Sequence, residues 1–309
     1  MKYLTIRDDL KVSQLVMGCM RFATMTADDL EVVVKAALDN GINFFDHADI
    51  YGDGKCEELF GHVLTKHPDW RKKMFIQSKC GIVKGQPITT FDFSKEHIIE
   101  SVNGSLKRLK IDYLDVLLLH RPDTLFDPKE VAEAFDLLSK DKKVRYFGVS
   151  NFNPMQIKLL QKYVKQPILF NQMQLSPVHS DMIAAGLYVN MKDAQGVARD
   201  GSILEYCRLK DIIIQPWSIV QASRAEGSFL NHPNYPELNE VLNELATKYK
   251  VAPSGIVIAW LIKHPANMQP IFGTTKAAHL KEMCDGCNVN LTRLEWYRIL
   301  TAAIKHKLP

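Results

Sequence analysis

Eight short apolar runs, rich in β-branched and aromatic residues, recur along the chain. They are LVMG at 15–18, NFFD at 43–46, MFIQSK at 74–79, LDVLLLH at 114–120, YFGVS at 146–150, LFNQ at 169–172, IIIQPW at 212–217 and QPIFG at 269–273. They are continuous rather than alternating, the pattern of parallel strands buried on both faces.

Segments of helical period separate these runs. Residues 26–40 carry Leu30, Val33, Val34, Ala37 and Leu38 on one stripe, with Thr26 and Asp29 as a helix start and Gly41 as a left-handed stop. Ser94 opens a segment with Ile98, Val102, Leu106 and Leu109 in helical register. Asp127-Pro128 and Asn153-Pro154 each join a capping residue to a proline at the first helical position. Further helices are expected over 237–249, 254–264 and AAHLKEM (277–283), and after Thr292 and Glu295, where Trp296, Ile299 and Ala303 share a face. YLTIRDDLKV, at 3–12, reads as a small hairpin.

Strands alternating with helices and no linker between them predict an α/β fold. Its form is a (β/α)8 TIM barrel with an N-terminal β-hairpin and an extra C-terminal helix, in a single domain over 1–309. An open doubly wound sheet fits less well, because VMGCMRF after the first strand lacks the glycines of a dinucleotide turn. Three long connections, 80–93, 176–202 and 221–236, follow the third, sixth and seventh strands. In a barrel they fall on the carboxyl face, where binding loops gather.

Composition narrows the classes of function. The 309 residues carry a formal charge of +4 with no basic block, so nucleic acid is not expected as a partner. The N-terminus lacks the apolar stretch of a signal peptide, and runs such as GIVIAWLI are too short to span a bilayer, so the expected location is cytoplasmic. The six cysteines do not suggest a disulfide framework. Cys284 and Cys287 form a lone CxxC after a helical segment, without the second half-site that a metal centre needs, and no metal is expected.

The candidate chemistry lies at the ends of the strands. Asp46 ends the second, with Tyr51 in the following turn; Lys79 ends the third and His120 the fourth. A closed barrel brings these positions to one mouth. An ammonium beside a phenol stabilises the phenolate, a carboxylate orients the ammonium, and an imidazole can donate to a carbonyl oxygen. Such a set suits protonation of an oxygen on which negative charge develops, as in hydride addition to an aldehyde or ketone. Taken singly, each residue has a plainer reading: Asp46 with Lys79 as a buried ion pair, Tyr51 as a turn aromatic, His120 as a strand cap. GTTK, at 273–276, opens a helix and reads either as a simple cap or as an anion site.

These residues resemble the aldo-keto reductase superfamily. DHADIYG (46–52) is similar to its D-x-A-x-x-Y-G, SKCG to its lysine strand and LLLHRPD to its histidine strand. FGVSNF is similar to its G-x-S-N-[FY] segment and NQMQLSP to its N-Q segment, with the matches in order from about Val16 to Lys305. The set is most similar to bacterial oxidoreductases of that superfamily. The resemblance implies NADPH-dependent reduction of a small-molecule carbonyl, with Tyr51 as general acid, Asp46 and Lys79 tuning it, and His120 orienting the carbonyl. It implies that Ser150, Asn151 and Gln172 bind the nicotinamide carboxamide, that Trp217 stacks on the ring, and that Ser218, with Val220 beside it, meets the pyrophosphate. Gly273, Thr274, Thr275, Lys276, His279 and Glu282 would surround the adenosine end, and Met20, Phe22, His47 and Trp217 would line the substrate pocket. The chain departs from the commonest pattern: His47 replaces Thr, His279 replaces an Arg that often meets the 2′-phosphate, and Met283 replaces an Asn. Lys276 is then the cation left to favour NADPH over NADH. Three other functions compete: a metal-dependent barrel hydrolase using Asp46, His47, Asp49 and His120, a Schiff-base aldolase using Lys79, and a non-catalytic NADP-binding barrel.

Overall fold

Each apolar run forms a parallel strand in the computed structural model, which describes residues 1–85, 88–223 and 225–305. Positions 86 and 87 of the first long connection and 224 of the third lie outside the described residues. In chain order the strands are β1 (Tyr3–Arg7), β2 (Leu10–Ser13), β3 (Val16–Gly18), β4 (Phe44–Asp46), β5 (Phe75–Cys80), β6 (Ile82–Val83), β7 (Thr90–Phe91) and β8 (Leu114–Leu119). They continue with β9 (Val144–Ser150), β10 (Ile168–Gln174), β11 (Ile213–Trp217), β12 (Gln221–Ser223), β13 (Gly227–Ser228) and β14 (Ile271–Phe272).

β14, β3, β4, β5, β8, β9, β10 and β11 lie side by side in that order, all parallel. The ring closes where the Gln269 N–H donates to the Ile214 carbonyl at 3.0 Å. This is the (β/α)8 barrel. The antiparallel β1–β2 hairpin plugs its amino-terminal end, where Leu10 and Val12 are buried against Val16, Phe44, Val116 and Phe170. Burying each such side chain contributes roughly 1.5–3 kcal/mol.

The outer helices are α1 (Ala27–Asp39), α2 (Lys55–Lys66), α3 (Lys95–Leu109), α4 (Pro128–Lys140), α5 (Pro154–Gln161), α6 (Asp181–Leu187), α7 (Ile203–Leu209), α8 (Pro236–Tyr249), α9 (Pro253–Lys263), α10 (Ala277–Gly286) and α11 (Arg293–Ile304). The expected caps form. Thr26 accepts from the Asp29 N–H, Asp127 from the Lys129 N–H, and Asn153 and Thr292 build capping boxes with Gln156 and Glu295. The C-terminal α11 locks onto α9: Trp296 and Trp260 stack with centroids 5.2 Å apart, and each indole N–H donates to the other's backbone carbonyl, at 3.0 and 3.1 Å.

Helix α2 carries no cap signal in the sequence, because its N-cap is Gly54, left-handed and without a capping side chain. The long connections are partly ordered: β6–β7 occupies the first, α6 the second and β12–β13 the third. No helix among the described residues is long and apolar enough to cross a membrane.

Candidate active site

The turn after β4 carries Tyr51 back over the barrel mouth. The His47 N–H donates to the Gln77 carbonyl at 2.8 Å and the Asp49 N–H to the Lys79 carbonyl at 3.0 Å, so the segment still follows β5 as it leaves the ladder. Gly52 then turns at φ 57°, and a Cβ there would lie 2.4 Å from the Ala23 Cβ, so only glycine fits.

Lys79 is fully buried and donates three bonds: to Asp46 Oδ2 at 2.8 Å, to the His47 carbonyl at 2.7 Å and to the Tyr51 hydroxyl at 2.9 Å. His120 follows β8, its N–H bonded to the Cys80 carbonyl, and its ring meets the Tyr51 ring edge-on at 5.9 Å. The structure thus brings together Asp46, Tyr51, Lys79 and His120, from three neighbouring strand ends.

Burial dominates the electrostatics of the group. It raises the Tyr51 phenol above its ordinary value, and the opposing pull of Lys79 does not overcome it. The expected lowering by the ammonium is therefore only a partial offset, and the phenol stays protonated at neutral pH. Burial pulls Lys79 down, but Asp46 and Tyr51 outweigh it and the net shift is upward, toward the charged form. His120 is held well below its ordinary value by burial, then by Lys79 and Arg121, so it is a neutral imidazole at neutral pH.

The residues that the resemblance assigns to a nicotinamide cofactor line one arc of the mouth. Ser150 Oγ donates to the Gln172 carbonyl at 3.1 Å, and Asn151 Nδ2 donates to Ser150 Oγ at 2.7 Å. Gln172 turns its amide nitrogen inward to Asp46 Oδ1 at 3.1 Å. Trp217 ends β11 with its indole nitrogen buried and unpartnered, and the Arg121 guanidinium lies 5.5 Å from its ring centroid. Ser218 takes a left-handed conformation, and Val220 beyond it is half-buried. Past β14, Gly273, Thr275, Lys276 and His279 are exposed, Thr274 is buried and Glu282 is half-buried. Lys276 is the N-cap of α10, whose first turn has no side-chain cap.

The pocket expectation needs correcting at two residues. Phe22 and His47 are fully buried and back the wall rather than line the mouth. Successive strand residues face opposite sides, so Asp46 points into the barrel and His47 out into the helical shell. There its ring meets Phe60 edge-on at 4.6 Å and Phe22 at 6.4 Å. Met20, by contrast, is 57% exposed. Among the described residues, two cavities of about 630 and 530 Å³ lie away from the mouth, around α5 and α7.

Neither ring nitrogen of His47 has a partner. Burial, then the charge of Lys79, pushes its pKa down from 6.5 to about 3. An imidazole that resists protonation in the fold but not when unfolded stabilises above about pH 6.5, and that contribution is lost as pH falls toward 3. His47→Leu is expected to flatten acid denaturation across this window by up to about 4–5 kcal/mol. Denaturant titrations at graded pH would read this, and an unchanged acid limb would refute it. Asp49 acts in the opposite sense: burial, then Glu57, pushes it up to about 7, so its contribution weakens as pH rises toward 7.

Two buried clusters carried no sequence signal. Glu57 of α2 accepts from Ser78 Oγ at 2.6 Å and from Arg108 Nε at 2.8 Å, tying α2 and α3 to the outer face of β5. Inside the barrel, Gln77, Gln215 and Gln269 are fully buried. Isolated glutamines in apolar runs were the only trace of the second cluster. All six cysteines are buried and free, Cys284 and Cys287 included.

Comparison with known proteins gives the family. A model of the aldo/keto reductase family matches residues 14–304. Oxidoreductase YcsN of Bacillus subtilis is 34% identical over the whole of both chains. Oxidoreductase YdhF of Escherichia coli is 35% identical over 96% of this chain and 95% of its own. The crystal structure of a Bombyx mori aldo-keto reductase in complex with NADP superposes with a TM-score of 0.74 at 20% identity, covering 99% of this chain and 94% of that one. With the family match spanning nearly all of its length, the chain belongs to the aldo/keto reductase family and is an NAD(P)H-dependent oxidoreductase.

Proposed function

We propose that this enzyme reduces an aldehyde or ketone to an alcohol with NADPH, using Tyr51 as the general acid. The observation that carries this reading is the Lys79 ammonium, held between Asp46 Oδ2 and the Tyr51 hydroxyl and facing a neutral His120.

The residues present fit a nicotinamide dinucleotide. The buried, unpartnered indole nitrogen of Trp217 and the uncapped first turn of α10, with Lys276 at its head, are polar groups that a ligand would satisfy. Ser150, Asn151 and Gln172 would hold the carboxamide, Trp217 the ring, Ser218 the pyrophosphate, and Gly273 to Lys276 with His279 the adenosine end. When bound, such a cofactor supplies the hydride for the carbonyl carbon.

The chain's own groups manage the proton. The burial that keeps Tyr51 protonated keeps the acid loaded. As charge develops on the carbonyl oxygen, the phenol gives up its proton, and Lys79, 2.9 Å away, stabilises the phenolate left behind. Neutral His120 retains an N–H to donate to the same oxygen, which fixes the orientation of the carbonyl.

The hydrolase alternative loses a ligand, because the His47 ring is lodged against Phe60 and Phe22. Among the described residues no group of three or more His, Cys, Asp or Glu is placed to hold a metal ion.

A screen of aldehydes and ketones, following oxidation of NADPH and NADH in parallel, tests the proposal. Turnover of at least one carbonyl class is expected. Adding NADPH should quench tryptophan emission, and Trp217→Leu should abolish the quench. Lys276→Ala should weaken NADPH by about tenfold and NADH far less, since one charged hydrogen bond to the 2′-phosphate is lost. Absence of quenching by either cofactor would sink the reading.

A further inference from the structure

The carboxylate of Asp46 is held from two sides. Lys79 Nζ lies 2.8 Å from both Oδ1 and Oδ2, and Oδ1 also receives two amide nitrogens, Gln77 Nε2 at 2.6 Å and Gln172 Nε2 at 3.1 Å. Behind these amides a hydrogen-bonded chain runs down the barrel interior. Gln77 Nε2 also donates to Gln215 Oε1 at 3.0 Å, Gln215 Nε2 to Gln269 Oε1 at 2.9 Å, and Gln269 Nε2 to the backbone carbonyl of Ser13 at 2.8 Å. Ser13 ends the plug hairpin.

Both ends of this chain, a backbone carbonyl and a carboxylate, accept hydrogen bonds and cannot donate them. That dictates how every amide between them is turned. Gln269 must offer its nitrogen to Ser13, which leaves its oxygen for Gln215. Gln215 must then offer its nitrogen to Gln269, which leaves its oxygen for Gln77. Gln77 must donate in both directions, so its oxygen has no link left to make. Gln77 Oε1 is indeed buried and without a partner. The orphaned acceptor is the signature of a relay whose polarity is set at both ends, and a packing role alone does not call for it.

We infer that Gln77, Gln215 and Gln269 are positioning residues for proton transfer: an amide relay, anchored on the Ser13 carbonyl at the barrel floor, presents a fixed donor face to Asp46 and so sets how firmly Asp46 engages Lys79. The inference rests on the reading of Tyr51 as the acid. Gln215 and Gln269 act through Gln77 and, by a longer bond of 3.4 Å from Gln172 Nε2 to Gln215 Oε1, through Gln172; among the described residues neither bonds to Asp46, Tyr51, Lys79 or His120. Losing the donors on Oδ1 leaves more of the carboxylate's charge on Lys79, and the ammonium then stabilises the Tyr51 phenolate less.

The test is a near-ultraviolet difference titration of the Tyr51 phenol in the cofactor-free protein, with the Tyr51→Phe counterpart of each variant as the blank. Gln77→Met is expected to move the midpoint upward, and Gln269→Met, two amides further away, to move it in the same direction by less. With a carbonyl substrate in hand, Gln77→Met should also lower kcat about tenfold at unchanged KM, the consequence of one lost charge-assisted bond. A Gln77→Met midpoint equal to wild type would overturn the inference. So would a Gln269→Met protein that melts at lower temperature but titrates as wild type, since that is the behaviour of a packing residue. Because the titration needs neither substrate nor cofactor, a failed carbonyl screen would refute the reductase reading and leave this measurement standing.

Discussion

Tyr51→Phe is expected to lower kcat by about 10²–10⁴-fold, the range for losing a positioned general acid, with cofactor affinity and fold intact. The substitution removes one oxygen from a site that otherwise persists. Lys79 keeps Asp46 and the His47 carbonyl as acceptors, and the ring keeps its edge-on contact with His120. The loss should fall on kcat and on kcat/KM alike, the mark of an interaction made only in the transition state. Binding, read by tryptophan quenching, should match wild type. A Tyr51→Phe protein with normal kcat on an aldehyde would remove the phenol from the mechanism.

Lys79→Met should affect both stability and turnover. It strands the Asp46 carboxylate 2% exposed without its cation. Removing one partner of a buried ion pair costs about 3–5 kcal/mol, and the two amides on Oδ1 place this case toward the lower end. Chemical denaturation would measure the loss. Adding Asp46→Asn should recover part of the stability, because the uncompensated charge is gone, but none of the turnover, because nothing then stabilises the phenolate. A cycle of Lys79→Met, Asp46→Asn and the double variant with a coupling energy near zero would refute this.

The barrel was legible because its signals are local. An apolar run marks a strand whatever lies around it, and Thr26, Asp127, Asn153 and Thr292 mark helix starts by their own capping bonds. Helix α2 escaped notice because Gly54 supplies backbone freedom instead of a capping side chain. The mouth was legible because the barrel converges its strand ends, so the positions of Asp46, Lys79 and His120 in the chain imply their meeting in space. The place of His47 is not legible in the chain, because it neighbours Asp46 in sequence while the pleat sends it to the opposite face, against Phe60. The glutamines were beyond reach: Gln77, Gln215 and Gln269 lie far apart in the chain, and only closure of the ring makes them neighbours.

That closure has a mechanical consequence. Among the described residues no β-ladder joins β11 to β14; the junction is stitched by the Gln269 N–H on the Ile214 carbonyl and by the Gln215–Gln269 amides. Among the described residues it is the junction of the hoop with the fewest backbone bonds. Trp217 and Ser218 stand on one lip of this junction, Gly273 to Lys276 on the other. A dinucleotide gripping both lips would act as a rivet, so the Gln269 amide should exchange with solvent deuterium more slowly when the protein is saturated with NADPH.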